Sequence, residues 1–196
     1  MAPVPLREGL ARHLQLNEEE FALISEAMLP RTHKRKAIIQ QAGESAQYII
    51  YIREGLLRYY YLVNGEERTG QFFFEGGWLT DMDSILSGTP SQFYIDALEP
   101  CQLRMLHKDR LPALYAASPK LVELGQIMMQ NAFRGSRYRT NTVLSMTPEE
   151  HYRYLLDNRP KVISRVPLFH IASYLGIKPE SLSRIRKRIL EEERGS

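Results

Sequence analysis

A chain of 196 residues, 43% hydrophobic and 25% charged, can build one medium domain and one small one, each with its own core, and is too apolar overall to be disordered. Its lone cysteine, Cys101, excludes an internal disulfide and a cysteine-ligated cluster. No window nears the roughly 18 apolar residues that span a bilayer, and Met1-Ala2-Pro3-Val4-Pro5-Leu6 lacks a signal peptide's basic-then-apolar pattern, so a cytoplasmic protein with no membrane partner is expected. The net charge of +3 is unevenly spread: Arg159 to Leu190 holds eight basic residues against one acid, Glu180, whereas residues 1–158 hold 17 basic and 19 acidic residues. One basic segment on a near-neutral body suggests either a local polyanion-binding surface or a solvated helix face.

In chain order, residues 9–28 read as a helix, with Leu10, Leu14, Leu16, Phe21, Ile24 and Met28 apolar among acids. From about Lys36 β-branched and aromatic runs take over: Ile38-Ile39, Tyr48 to Ile52, Leu56 to Val63, Gln71 to Phe74, Phe93 to Leu98 and Gln102 to Leu106. Glycines at 43, 55, 65 and 76 separate the earlier runs at intervals of 12, 10 and 11 residues, the rhythm of an antiparallel barrel or sandwich. Asn64-Gly65 is the clearest hairpin signal, since both residues tolerate positive φ. Helical texture returns at Pro119 and runs to about Leu144. Leu121, Leu124, Met128, Gly135 and Tyr138 share one broad face, which serves either as a dimer seam or as packing on the chain's own β domain. Thr147-Pro148-Glu149-Glu150 then starts a new helix: a capping threonine, proline in the first turn, acids at the positive dipole end, and capping-box spacing from Thr147 to Glu150. Three segments follow: a β domain over 1–117, a long helix over 118–145 and a helical domain over 146–196.

The last segment carries the function. A helix over Pro167 to Leu175 presents Leu168, Ile171, Ala172 and Leu175 on one face. Gly176 supplies a positive-φ turn, Ile177 plugs the core, and Pro179 opens a second helix at its favoured position. In that helix Leu182, Ile185 and Ile189 face inward, while Glu180, Ser183, Arg184 and Lys187 form a separate polar face. Two short helices around a glycine turn, with Ala172 small where they cross, make a helix-turn-helix; the alternative is a purely structural helical hairpin. Glu180, Ser183 and Arg184 stand where base edges are read, an arginine on guanine and a glutamate on cytosine. Lys178, Ser181, Arg186, Lys187 and Arg188 suit phosphates, which give affinity without sequence reading.

The stretch Ile171-Ala172-Ser173-Tyr174-Leu175-Gly176-Ile177-Lys178-Pro179-Glu180-Ser181-Leu182-Ser183-Arg184-Ile185-Arg186 resembles the Crp/Fnr family of bacterial regulators. The resemblance implies an α+β fold: an N-terminal antiparallel β-roll of the cyclic nucleotide-binding kind, a long dimerisation helix and a C-terminal winged helix-turn-helix. It implies a homodimer on a palindromic double-stranded DNA site, with RNA polymerase and a small effector as further partners. Glu180-x-x-Ser183-Arg184 is similar to the reading triplet of the Fnr branch and implies a TTGAT-like half-site. The pattern is not followed throughout. Where cyclic-nucleotide members carry a Gly-Glu pair and then an Arg-Ser pair, this chain has Trp78-Leu79-Thr80-Asp81-Met82-Asp83 and Pro90-Ser91-Gln92-Phe93. Trp78, Thr80, Asp81, Met82, Ser91 and Gln92 are thus the expected effector pocket, but no arginine stands there to neutralise a cyclic phosphate, and Asp81 and Asp83 repel one; cyclic AMP is not expected. His13, His33, His107, His151 and His170 show no ligand pattern, and no metal or other cofactor is expected. The wing looks short, with a hairpin around Arg159 to Arg165 as its substitute.

Other readings fit the residues less well. Asp81 and Asp83, if alternate on a strand, would point the same way, but no histidine joins them for acid/base or metal chemistry. The block Tyr59-Tyr60-Tyr61, with Tyr48 and Tyr51, suits strand packing better than base stacking. Gly76-Gly77 lacks the Gly-Lys-Ser/Thr of a phosphate loop. A cupin-like barrel enzyme with an accessory helical domain would need metal ligands in the barrel. A module whose basic helix binds an acidic protein would show no preference among duplex sequences.

Overall fold

The computed structural model describes residues 2–195, with side chains through Glu192. Two short helices come first, α1 (Leu6–Ala11) and α2 (Glu18–Ala27), followed directly by strand β1 (Met28–His33). The single helix expected over 9–28 is therefore two helices and the start of a strand. Asn17 is the reason for the first break: its side chain accepts from the Glu20 amide and Glu20 answers to the Asn17 amide, a reciprocal cap that starts a new helix. The second break comes at Met28, which enters a ladder opposite Leu106.

Among the described residues the strands form two four-stranded sheets. The first has the order β1, β8 (Cys101–His107), β3 (Tyr48–Glu54), β6 (Trp78–Leu79); the second has the order β2 (Ile38–Gln40), β7 (Tyr94–Ala97), β4 (Leu57–Val63), β5 (Glu66–Phe73). The paired registers of the first sheet are antiparallel throughout, for example Ile50 opposite Met105 and Ile52 opposite Leu103. The β4–β5 turn is the expected Asn64-Gly65, with φ of 53° and 80°, the two left-handed residues that match a hairpin's twist. One apolar cluster gathers Ile50, Ile52, Leu57, Ile95, Leu103 and Met105 from both sheets. A second joins α1, α2 and the first sheet through Leu10, Ile24, Met28, Tyr51 and Leu106.

Between β6 and β7 lies helix α3 (Met82–Ser87). Asp81 and Asp83 are thus not alternate strand residues. Asp81 is the helix cap, accepting from the Ser84 amide at 3.1 Å, and Asp83 lies in the first turn, where the dipole favours an acid. Helix α4 (Leu111–Ala117) leads into α5 (Pro119–Ser145), whose 27 residues extend roughly 40 Å at 1.5 Å per residue. The remaining helices are α6 (Pro148–Asn158), α7 (Pro160–Arg165), α8 (Leu168–Leu175) and α9 (Pro179–Gly195). Thr147 caps α6 with the expected box to Glu150. The hairpin expected around Arg159 to Arg165 is instead the one-and-a-half-turn helix α7: Pro160 opens it in the first turn and Val162 is buried beneath it.

The chain divides into two compact units. One comprises the residues up to Tyr59 with Phe72–Arg134; the other comprises Tyr60–Gln71 with the chain from Gly135 onward. The C-terminal unit has its own core of Tyr152, Leu155, Val162, Ile171, Leu182 and Ile189. Within it the β4–β5 turn region meets α8: Ser173 Oγ donates to the Glu67 carbonyl at 2.7 Å and accepts from the Thr69 amide at 2.9 Å.

Candidate nucleic-acid interface

Helix α8 ends in the turn its sequence dictates. Gly176 has φ 72°, its amide donates to the Ser173 carbonyl, and the Ile177 amide reaches back to Ala172, the paired bonds of a Schellman turn. A side chain other than glycine would be strained there. Ala172 is fully buried where α8 and α9 meet, and Leu182 and Ile189 anchor α9 to the core, with Ile185 half-buried between them.

That anchoring turns the other side of α9 outward. Glu180, Ser183, Arg184 and Lys187 are all exposed, as their spacing predicts. Arg184 is not loose: its Nη2 donates to Ser181 Oγ one turn back, at 3.1 Å, which holds the guanidinium along the helix surface. Ser183 Oγ donates to the Pro179 carbonyl at 3.1 Å and keeps an acceptor lone pair outward. Lys178 is exposed beside the helix N-terminus, where backbone amides and dipole favour an anion. Arg186 is half-buried, Ser181 likewise.

Two basic residues of the C-terminal unit are committed elsewhere. Arg188 pairs with Glu149 of α6. Arg153 of α6 bridges Glu149 at 3.0 Å and Glu192 of α9. This network ties the far half of α9 to α6. Nothing short-range in the sequence announces its two links between the helices, because Arg153 and Glu192, like Glu149 and Arg188, lie 39 residues apart.

The long helix distributes its apolar residues in a way the stripe alone does not reveal. Leu121 and Leu124 are each 3% exposed and belong to the cluster of α1, α2 and β8, with Met128 packed against it. These three serve the chain's own core. The apolar side chains α5 leaves to solvent are Met129, Phe133 at 63% exposure, Val143 and Leu144 at 79%. Sequence reasoning missed them because they fall off the Leu121–Leu124–Met128 stripe. Gly135 is exposed with open space around it, and Tyr138 is half-buried, its ring 5.5 Å from that of Tyr154.

The expected effector residues lie around α3, and the polar groups of Thr80, Asp81 and Ser91 are engaged locally, whereas Trp78 Nε1 is buried without a hydrogen bond. Thr80 Oγ1 donates to the Tyr48 carbonyl at 2.9 Å, Asp81 caps α3, and Ser91 Oγ donates to the Phe93 carbonyl at 3.1 Å. Trp78 leans on Tyr51 with ring centroids 4.9 Å apart, Met82 is half-buried and Gln92 is exposed. The loop before β3 is stitched over them: the Ala46 amide donates to Ser84 Oγ at 2.8 Å and the Gly43 amide to the Ser91 carbonyl at 2.8 Å. On β4 and β7, Arg58 makes a buried two-point pair with Asp96, at 3.0 and 2.8 Å. A groove of about 410 Å³ between α1 and α2, lined by Leu10, Leu14, Leu16 and Phe21 among others, involves none of the expected effector residues.

The fold, a two-sheet β-roll, a long helix and a helix-turn-helix, is shared with several solved structures at low sequence identity. Residues 30–118 match the family model of the cyclic nucleotide-binding domain. FixK2 from Bradyrhizobium japonicum superposes with a TM-score of 0.72 at 17% identity, covering 85% of this chain and 86% of that one. CLP, a c-di-GMP-responsive global regulator of Xanthomonas campestris, gives 0.73 at 13% identity, covering 90% and 93%. The catabolite activator protein of Thermus thermophilus gives 0.59 at 19% identity, covering 94% and 88%. No curated protein sequence matches the chain. No helix among the described residues is long and apolar enough to cross a membrane.

Proposed function

We propose that this chain is a cytoplasmic transcription regulator that binds a palindromic DNA site as a homodimer, with α9 as its recognition helix. The observation that carries the reading is the exposed face of Glu180, Ser183, Arg184 and Lys187 on a helix whose opposite face is buried and whose N-terminus is set by a glycine turn. In this reading Glu180, Ser183 and Arg184 contact base edges, and Lys178, Ser181, Arg186 and Lys187 contact the backbone. Met129, Phe133, Val143 and Leu144 supply the dimer contact: large apolar side chains exposed along one helix lose contact with water when a second copy packs against them. Half-site centres then lie about one helical turn, roughly 34–36 Å, apart.

The β-roll is the sensor half, and cyclic AMP is a poor fit to it. Asp81 spends its carboxylate on the α3 cap, next to where a cyclic phosphate would need a cation. Any effector at α3 must displace or share the hydrogen bonds of Thr80, Ser84 and Ser91.

Selection of bound duplexes from a random pool tests the proposal. An inverted-repeat consensus is expected from the full chain, and no selection at the Arg184 position from Arg184→Ala. Recovery of unordered sequences, with binding that tracks charge alone, would refute it and favour a basic helix made for an acidic protein.

A further inference from the structure

One side chain of α5 reaches the helix-turn-helix at its turn. Arg139 donates from Nη2 to the carbonyl of Tyr174 at 2.6 Å, and its guanidinium carbon lies 4.0 Å from the centre of the Tyr174 ring. The carbonyl matters. The turn amides of Gly176 and Ile177 go to the carbonyls of Ser173 and Ala172, and the next carbonyl at the helix end, that of Tyr174, takes its bond from Arg139. A cation at a helix C-terminus also meets the negative end of the dipole. Tyr174 is 1% exposed, and its ring packs 5.2 Å from that of His151 on α6. Thr142, one turn further along α5, is buried with its hydroxyl bonded to the Arg139 carbonyl at 2.8 Å. Arg139 Nη1 is buried and makes no hydrogen bond, so the guanidinium is placed by the Tyr174 ring and carbonyl, not by an acid that could follow it elsewhere.

We propose that Arg139 is the positioning residue of the DNA-reading unit: by clamping the end of α8 at the Tyr174 carbonyl and ring, it fixes the direction in which α9 leaves the turn relative to α5. The clamp is planar and two-point, a carbonyl bond in the guanidinium plane and an aromatic face beneath it, a geometry lysine cannot reproduce. If α5 is the dimer helix, as proposed above, the same clamp sets the distance between the two recognition helices and therefore the half-site spacing the dimer accepts. That consequence rests on the DNA-binding reading; the clamp itself does not.

The test uses the full chain and two readouts. In the free protein, Arg139→Met keeps the stem and removes both interactions. Amide exchange across residues 174–182 is expected to quicken about tenfold, with α6 amides unchanged. On operators whose half-sites are moved apart or together by one and two base pairs, the wild type is expected to lose about tenfold in affinity per step, and Arg139→Met about threefold or less. Arg139→Lys and Tyr174→Leu, which each leave the Tyr174 carbonyl bond possible but lose the stacked ring contact, should fall between them. Unchanged protection and an unchanged spacing profile in Arg139→Met would overturn the proposal. So would an equal loss at every spacing with faster exchange throughout the unit, which marks general destabilisation. If the wild type selects no DNA sequence, the DNA reading fails, and the exchange measurement alone still decides whether Arg139 holds the turn.

Discussion

Arg188, in the third turn of α9, is ion-paired with Glu149, in the first turn of α6. Its neighbour Lys187 points away from the core with its side chain 79% exposed and only a loose 3.7 Å approach to Glu191. On the proposed DNA-binding reading, these adjacent basic residues have different jobs. Lys187→Ala should weaken binding to specific and random duplexes alike and reduce the slope of log affinity against log salt by about 1. Arg188→Ala should leave that slope nearly unchanged and cost a few tenths of a kcal/mol to about 1 kcal/mol in stability, the range of a solvent-screened pair. Equal slopes for the two variants would show that Arg188 leaves Glu149 for a phosphate.

Arg184 is the residue whose loss should change what is read and not merely how tightly. In the free protein its Nη2 donates back to Ser181 Oγ; on the proposed reading it leaves that bond to give two parallel ones to a guanine. Arg184→Ala is expected to cost about 1–3 kcal/mol on the selected operator and to flatten the preference at one position of each half-site. Competition binding against operators changed singly at each position measures this. A uniform loss at all positions would mean that Arg184 holds the backbone.

The parts of the structure that were legible are those specified by near neighbours in the chain. Thr147 and Glu150, Asn64 and Gly65, Gly176 and Pro179 each set a cap or turn within a few residues, and each stands where its chemistry demands. What was not legible depends on distant partners. Met28 to His33 becomes a strand only because Cys101 to His107 offers it a ladder. The stripe of Leu121 and Leu124 is apolar whichever surface covers it, and the α1–α2 layer that does so lies a hundred residues earlier. The ion pair of Arg188 with Glu149 likewise joins residues far apart in the chain.

The two sets of apolar residues on α5 should separate by experiment. Phe133→Glu puts a charge on an exposed position, so the folded monomer should be nearly unaffected while the dimer dissociates; sedimentation should show half the mass, and operator affinity should fall with it. Leu124→Ala removes a buried side chain and should cost about 2–5 kcal/mol of stability through the cavity it leaves, without a specific effect on association. A Phe133→Glu protein that remains dimeric would remove this face from the proposed interface.

His151 gives the C-terminal unit a dependence on acid. It is 4% exposed, its Nε2 is buried without a hydrogen bond, and burial together with Arg139 and Arg159 lowers its pKa from 6.5 to about 4. The Tyr174 ring on α8 offers it no counter-charge. The folded protein therefore keeps this imidazole neutral while the unfolded chain protonates it below about pH 6.5. Since the unfolded state then binds more protons, stability falls as pH drops through that window, by at most about 1.4 kcal/mol per unit for this one group, and is fully present above it. Depressed carboxyls at Glu20 and Glu150 lose their contribution at lower pH, as the pH falls from the ordinary carboxylate range through their lowered values. His13 and His33 are also held low by burial and act in the same direction, but they are common to wild type and variant. Urea unfolding at pH 7, 6 and 5 should show the wild type losing more stability than His151→Gln, with the gap widening toward pH 5. Parallel curves for the two proteins would mean that His151 takes up its proton in the folded state as readily as in the unfolded one, and that the Arg139–Tyr174–His151 packing is open to water.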